Sequence, residues 1–314
     1  MHEGTRRAIL AAFLANLGIA ASKFLAFAVT GSASLLAEAI HSVADTGNQL
    51  LLFFGGRRSR RAPTTTHQFG FGPERYFWAF VVALVLFSLG SLFALVEGVD
   101  KLVNPKELES PIWAFAVLGI AIVLETLSLR TARREALPMR EPGRSWWQFI
   151  HTTKNAEIPV VLLEDTGALC GLAIALVGVT LAEVTGDPKW DAAGSLGIGL
   201  LLGVIAIVLA TEMKSLLIGE AASPATEEQI RDAITDGPEV RRIISLRTLH
   251  LGPDDVLVAT KLDLACDTVP ALARAIDSVE ARVRAAVPTA RLIFVEPDVY
   301  RPPDPAIEEA QKHE

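Results

Sequence analysis

The chain has 314 residues, of which 51% are hydrophobic and 21% are charged, and it contains two cysteines. This composition excludes a disordered protein, a collagen-like protein and a small disulfide-rich scaffold. The formal net charge of −7 argues against a nucleic-acid-binding protein. The whole excess lies in residues 219–314, which carry 18 acidic and 11 basic side chains, whereas residues 1–218 carry 18 of each. The chain therefore has two physically different parts.

Six stretches of the first part are apolar and long enough to cross a bilayer, for which a helix needs about 20 residues. They cover residues 8–28, 33–55, 76–99, 111–131, 158–182 and 191–216, and no such stretch follows residue 218. We therefore expect an α-helical membrane protein with a transmembrane domain of six helices over residues 1–218.

Arginine is distributed unevenly among the loops between these spans. Arg6 and Arg7 precede the first span, four arginines lie at 57–61 and five at 130–144, whereas the alternate loops hold none. Positively charged loops stay on the cytoplasmic side of a membrane. We therefore expect both termini to be cytoplasmic, in a multi-pass protein of the bacterial inner membrane.

The second part is predicted to be a small α+β domain over residues 219–300. Two helical and three strand patterns follow one another there in the order αββαβ, around residues 225–236, 244–250, 256–264, 270–287 and 292–296. This order fits a ferredoxin-like sandwich with its helices on one face of a sheet. Residues 301–314 begin with a proline-rich stretch and are expected to be disordered.

Ionisable residues inside two spans carry the main functional prediction, because charges in the bilayer are costly and usually serve a function. The second span holds Glu38, His41 and Asp45, whose spacing of three and four residues places them on one helix face. The fifth span holds Glu164 and Asp165.

An imidazole and several buried carboxylates suit a divalent cation. Zinc accepts both ligand types, and manganese and iron tolerate more oxygen ligands. Such ligands must lose protons to bind metal, so the site would exchange one for the other. The alternative is a buried histidine–aspartate hydrogen bond that joins two helices without transport. Two other charges within spans, Lys23 and Glu125, are expected to pair or to lie at helix interfaces.

Several motifs resemble those of the cation diffusion facilitator family. They are SLLAEAIHSVAD at residues 34–45, HQFG at 67–70 and GIG at 197–199, and the resemblance covers about residues 8–300. It implies a metal–proton antiporter that works as a homodimer, with contact through the cytoplasmic domain. No HExxH or GxSxG motif of a hydrolase is present, so an enzyme is not expected.

The resemblance also implies a transport site built from two ligands on the second span and two on the fifth. His41, Asp45 and Asp165 fit three of these positions, but the fourth falls at Val161, which cannot bind a metal. Glu164 is the candidate replacement, although it points about 100° away from Asp165 on a helix. A water ligand or a weakened site are the alternatives.

Other candidate positions are less complete. Glu38 is a candidate for the entrance of the site or for a place beside its ligands. His67 in a loop and His250 in the second part lack the neighbouring ligands that the family carries there. We therefore expect no accessory zinc site in that loop, no dense metal cluster in the second part and no prosthetic cofactor.

The segments FGFGPERY at 69–76 and VVLLED at 160–165 are similar to the branch that includes the mitochondrial zinc transporter of animals and its bacterial relatives. The resulting interpretation is a secondary transporter that exports a divalent cation, with zinc favoured, in exchange for protons. Transport of manganese, iron or cobalt by the same mechanism is one alternative. A transport-inactive family member that binds metal or serves as a scaffold is another.

Overall fold

The chain folds into two compact units, one ending at Ile218 and one beginning at Gly219. A computed structural model describes residues 3–30, 33–105 and 111–302. Among residues 33–44, most side chains lie outside the described residues, including those of Glu38 and His41. Each unit has a hydrophobic core of its own.

The described part of the first unit is built from helices. In chain order they are α1 (Glu3–Thr30), α2 (Ala33–Arg58), α3 (Glu74–Val85), α4 (Phe93–Val103), α5 (Pro111–Ala136), α6 (Trp146–Thr152), α7 (Glu157–Thr185) and α8 (Lys189–Ile218). Among the described residues, five segments are long and apolar enough to cross a membrane: Thr5–Val29, Glu74–Val103, Ile112–Met139, Glu157–Thr185 and Lys189–Ile218. The second of these runs through both α3 and α4. Helix α2 has 26 residues but is more polar.

Small residues occupy many of the contacts between these helices. Helix α1 packs against α2 and α5, and α7 packs against α5 and α8. The core includes the fully buried alanines Ala8, Ala12, Ala79, Ala83 and Ala132. Helices in lipid associate through close van der Waals packing, which small side chains permit. This packing places α5 and α7 side by side and next to α1.

A π-helical stretch, Leu86–Leu92, joins α3 to α4. Within it, the Ser91 hydroxyl donates a hydrogen bond to the Gly199 carbonyl oxygen of α8 at 2.8 Å. A Cβ atom on Gly199 would lie 2.7 Å from Leu95 Cγ, so the missing side chain lets α4 and α8 approach closely. Hydropathy predicts a single span here and does not reveal the change of helix type.

The connection from α5 to α7 is more ordered than the sequence pattern indicates. A 3₁₀ turn, Leu137–Met139, extends α5. Helix α6 begins with a capping box, in which the side chains of Ser145 and Gln148 each accept a hydrogen bond from the other residue's backbone N–H. These features hold the arginine-rich loop in a defined conformation.

Asn155 fixes the beginning of α7. Its Oδ1 accepts hydrogen bonds from the N–H groups of Glu157 and Ile158 at 3.2 and 3.3 Å, as capping residues do. Its Nδ2 donates to the Thr5 hydroxyl of α1 at 3.1 Å. One buried side chain therefore both caps α7 and ties it to α1.

The second unit contains two helices and a three-stranded sheet. Its elements are α9 (Pro224–Thr235), β1 (Val240–Gly252), β2 (Asp255–Leu264), α10 (Val269–Ala286) and β3 (Ala290–Pro297), which is the predicted αββαβ order. Strand β2 lies in the middle, antiparallel to β1 and parallel to β3. The parallel pair is connected through α10, since parallel strands need a crossover. From residue 303 onward, the tail predicted to be disordered lies outside the described residues.

One face of each helix in this unit covers the sheet. Ile230 and Ile234 of α9, and Val279 and Val283 of α10, are completely buried at a spacing of four residues. They pack with Val258, which is also completely buried on β2. The periodicity that predicts these helices therefore also identifies the core.

Candidate metal centre

Two buried carboxylates lie on α7, about two turns from its beginning. Glu164 is 8% exposed and Asp165 is 2% exposed. The Gln49 amide of α2 donates a hydrogen bond from Nε2 to Glu164 Oε2 at 2.7 Å. The Ser128 hydroxyl of α5 donates to Asp165 Oδ2, also at 2.7 Å. Helix α7 therefore presents one carboxylate to α2 and the other to α5.

Gln49 identifies the face of α2 that meets Glu164. Positions 41, 45 and 49 follow one another at intervals of four residues, so they lie on the same side of α2. Gln49 is completely buried and Asp45 is half-buried. The structure thus brings Glu164 to the face that carries Asp45. The predicted roles of His41 and Glu38 concern side chains outside the described residues.

Val161 and Glu164 differ in what they offer to α2. Val161 lies one turn before Asp165, is completely buried and presents only methyl groups. Helix α7 is a continuous α-helix from Glu157 to Thr185. Glu164 contacts the Gln49 amide without any local bulge in α7.

Carboxylates of three helices influence one another here. Glu164 of α7 experiences the negative charges of Asp45, Asp165 and Glu125. Glu125 of α5 is repelled by the negative charges of Asp45 and Asp165 and attracted by the positive charge of Lys23. Like charges in a low-dielectric interior repel strongly, so a cation that enters this region is stabilised.

The described side chains do not form a complete metal shell by themselves. Among them, no group of three His, Cys, Asp or Glu residues is close enough to hold a metal ion. Asp45 comes from α2, whereas the Glu164 and Asp165 hydrogen bonds go to different helices. Asp45, Glu164 and Asp165 are therefore not close enough together in this arrangement of the helices to hold a metal ion as a group of three.

Glu125 of α5 is a further buried acid in this unit, and the sequence predicts that it pairs or lies at a helix interface. It is 5% exposed and lies three residues before Ser128, so both residues are on the same face of α5. A single acid in an otherwise apolar span is typical of a helix interface, which is how the sequence places it. Ser128 binds Asp165, and Glu125 lies three residues before it. This spacing relates Glu125 to the α7 acids only once α5 and α7 are known to be neighbours.

A buried ion pair lies about 10 Å from these acids along α7, at its beginning. Arg75 Nε of α3 and Glu157 Oε1 are 3.4 Å apart, and the two side chains are 4% and 1% exposed. The neighbouring Tyr76 hydroxyl donates to the Lys154 carbonyl oxygen at 3.1 Å. Together these contacts join α3 to the segment that begins α7.

Two histidines outside the spans make local contacts. The His67 ring lies against the Phe71 ring, with centroids 4.6 Å apart. His250 Nδ1 is 3.2 Å from the Gly252 carbonyl oxygen at the end of β1. Both contacts are within one loop or strand end, and neither histidine belongs to a group of three or more described His, Cys, Asp or Glu residues that could hold a metal ion.

Comparison with protein families decides the class of protein. The family model described as the cation efflux transmembrane domain matches residues 9–218 of this chain. The chain belongs to the cation efflux family. The resemblance found in its motifs is confirmed, and the relatives that share this domain are transporters.

Named relatives of the family extend this comparison. The mitochondrial proton-coupled zinc antiporter SLC30A9 of Homo sapiens is 34% identical over 245 residues, which cover 77% of this chain and 43% of the human protein. Metal tolerance protein C4 of Arabidopsis thaliana is 30% identical over 262 residues, covering 83% of this chain and 57% of the plant protein. The cation-efflux pump FieF of Pectobacterium atrosepticum is 26% identical over 293 residues, which cover 92% of this chain and 90% of the bacterial protein.

These relatives locate the chain within the family. The chain spans less than half of the human protein and most of the bacterial pump. The matches to the mitochondrial antiporter confirm that the chain lies near that branch of the cation efflux family.

Proposed function

We propose that this protein is a secondary transporter that exports a divalent cation, zinc in the first place, from the cytoplasm in exchange for protons. The observation that carries the proposal is the hydrogen bond from Gln49 to Glu164. It brings a second carboxylate of α7 to the α2 face of Asp45 and so compensates for the apolar side chain of Val161.

The proposed ligands are His41, Asp45, Glu164 and Asp165. One imidazole and three carboxylates form a set that zinc accepts. The name of the human relative, a proton-coupled zinc antiporter, supports both the ion and the exchange with protons. Loading requires a neutral imidazole and ionised carboxylates, so protons arriving from the other side of the membrane compete the metal off.

The proposed membrane arrangement has six spans. At 1.5 Å per residue the 26 residues of α2 extend about 39 Å, enough to cross a bilayer as the sixth span. The arginine-rich loops then lie in the cytoplasm with both termini. The second unit is a ferredoxin-like domain in this proposal, which its αββαβ order and mixed sheet support. Two copies of the chain pair through it, as the family resemblance implies.

Flux measurements on the full chain in proteoliposomes test the proposal. Zinc should accumulate when a proton gradient is applied, and Asp45→Ala and Asp165→Ala should abolish that flux. Glu183→Gln is the matched control, because Glu183 is exposed near the end of α7. Wild-type flux in the Asp45 and Asp165 variants would show that the site is elsewhere.

The oxygen-rich ligand set also suits divalent ions other than zinc. Manganese, iron and cobalt accept several carboxylate ligands, so the same assay should be run with each of them. Val161 supports the rival possibility of a transport-inactive protein that binds metal or serves as a scaffold. Metal binding without flux of any of the four ions would favour that rival.

A further inference from the structure

We propose that Glu125 is an additional cation-binding group of this site, contributed by α5, and that it favours ions with a preference for oxygen ligands. This inference rests on the proposed transport function. It adds a third helix to a ligand set that otherwise comes from α2 and α7 alone.

The buried stripe along α5 places Glu125 in the interior. Val117, Ala121, Glu125, Ser128 and Ala132 are all buried and follow one another at intervals of three or four residues, whereas Thr126 and Leu127 are exposed. The hydrogen bond from Ser128 to Asp165 fixes this face of α5 against α7. Glu125 lies about 4.5 Å further along the axis of α5, one turn from that contact.

The surroundings of Glu125 do not suit a residue that only stabilises the fold. Its carboxylate has no hydrogen-bond or ion-pair partner within the described residues, although it is 5% exposed. The negative charges of Asp45 in α2 and Asp165 in α7 repel the Glu125 carboxylate, whereas the positive charge of Lys23 in α1 attracts it. A buried carboxylate in this position destabilises the empty protein and becomes favourable when a cation is bound.

The buried ion pair in the same unit provides the contrast. Glu157 has an opposite charge beside it, with Arg75 Nε at 3.4 Å, although neither of its carboxylate oxygens has a hydrogen-bond partner within the described residues. Glu125 instead forms no ion pair within the described residues, and the charges that act on it are those of Asp165, Asp45 and Lys23. A buried carboxylate in these surroundings is suited to bind a cation.

An additional carboxylate has a predictable effect on ion preference. Manganese and iron favour oxygen-rich shells with more ligands than the four of a tetrahedral zinc site. Loss of the Glu125 carboxylate should therefore weaken manganese binding more than zinc binding. A residue that only packs between helices would change both affinities alike or not at all.

Binding and melting of the purified full chain test this assignment. The variants are Glu125→Gln, Glu125→Asp and the control Glu135→Gln, a half-buried acid on the same helix. Dissociation constants for zinc and manganese are measured by isothermal titration, and melting is measured without metal. We expect Glu125→Gln to weaken zinc binding about tenfold and manganese binding more, the size known for residues that support a metal site.

The melting measurement separates a ligand from a structural residue. Glu125→Gln should melt no lower than the wild type without metal, Glu125→Asp should keep most of the affinity, and Glu135→Gln should match the wild type. Wild-type affinities in Glu125→Gln would overturn the assignment. So would melting of both Glu125 variants far below the wild type.

A third result concerns the function on which this inference rests. If the wild type neither binds nor transports any of the divalent ions, the proposed function fails. If the wild type transports zinc and Glu125→Gln binds both ions like the wild type, only the role of Glu125 fails.

Discussion

Gln49 and its neighbour Asn48 place amide groups in the middle of α2 with unused hydrogen-bonding capacity. Gln49 Nε2 binds Glu164, but Gln49 Oε1 and both polar atoms of the Asn48 side chain are buried without a partner in the described part of the chain. Buried polar groups of this kind are costly unless water or an ion reaches them. A water molecule or an ion that reached this part of α2 would satisfy these groups.

Glu164→Gln tests whether this carboxylate replaces the ligand missing at Val161. We expect zinc affinity to fall by about 10- to 100-fold, since a carboxylate of the site is lost while the side-chain volume is kept. Isothermal titration of the full chain measures the change. In the Glu164→Gln background, Val161→Asp should restore part of the affinity. Unchanged affinity in Glu164→Gln alone would remove Glu164 from the ligand set.

The sequence predicts the burial of both α7 acids but not their separate contacts. Glu164 and Asp165 lie in an apolar span, so an interior position follows from the cost of a lipid-facing charge. Which of them meets α2 depends on the rotation of α7, and that rotation is set by all the helices that pack against it. The relation of Glu125 to Asp165 escapes the sequence for the same reason, because it depends on how α5 packs against α7.

At the scale of the helices, the Arg75–Glu157 pair connects α3 with the beginning of α7. Arg75→Met or Glu157→Gln alone should cost about 3–5 kcal/mol of unfolding free energy, because each leaves an uncompensated buried charge. The double variant should cost much less, because no unpaired charge remains. Denaturant unfolding of the purified protein measures all three values.

The matched control for this pair is the ion pair between Arg58 and Glu74. Arg58 Nε and Glu74 Oε1 are also 3.4 Å apart, but their side chains are 38% and 25% exposed. Arg58→Gln should therefore cost no more than about 1 kcal/mol. A double variant at Arg75 and Glu157 that is as unstable as the single variants would contradict the explanation by unpaired charge.

The sequence predicts the long helices well because apolar length is a strong pattern. It does not reveal the π-helical stretch Leu86–Leu92, because a change of helix type leaves an apolar run unchanged. Helix α6 is too short to show a periodic pattern, and its capping box lies in a loop. The double role of Asn155 depends on Thr5, which is distant in the chain.

At the scale of the whole molecule, the boundary between the two units coincides with the start of the excess negative charge. The first unit ends at Ile218, and residues 219–314 hold the full net charge of −7. The sequence therefore indicates two environments from charge alone. It does not define how strands pair, because pairing depends on contacts between distant segments.

Cysteine labelling tests the proposed orientation of the membrane unit. In a background with Cys170→Ser and Cys266→Ser, single cysteines replace Glu141 or Asp187, which are exposed in loops at opposite ends of α7. A membrane-impermeant thiol reagent should label Glu141→Cys only from the cytoplasmic side, because that loop is rich in arginine, and Asp187→Cys only from outside. Labelling of both positions from one side would contradict the arrangement.

The adjacency of Glu164 and Asp165 has a consequence for movement of α7. Turning this helix by about 100° about its axis exchanges one residue for the other at any fixed neighbour. A rotation that withdraws Glu164 from α2 in one sense brings Asp165 toward it, and in the other sense moves both away. The direction of rotation, rather than its extent, then decides whether α2 keeps a carboxylate partner. Turning α7 in one direction therefore keeps a carboxylate beside α2, whereas turning it in the other direction leaves α2 without one.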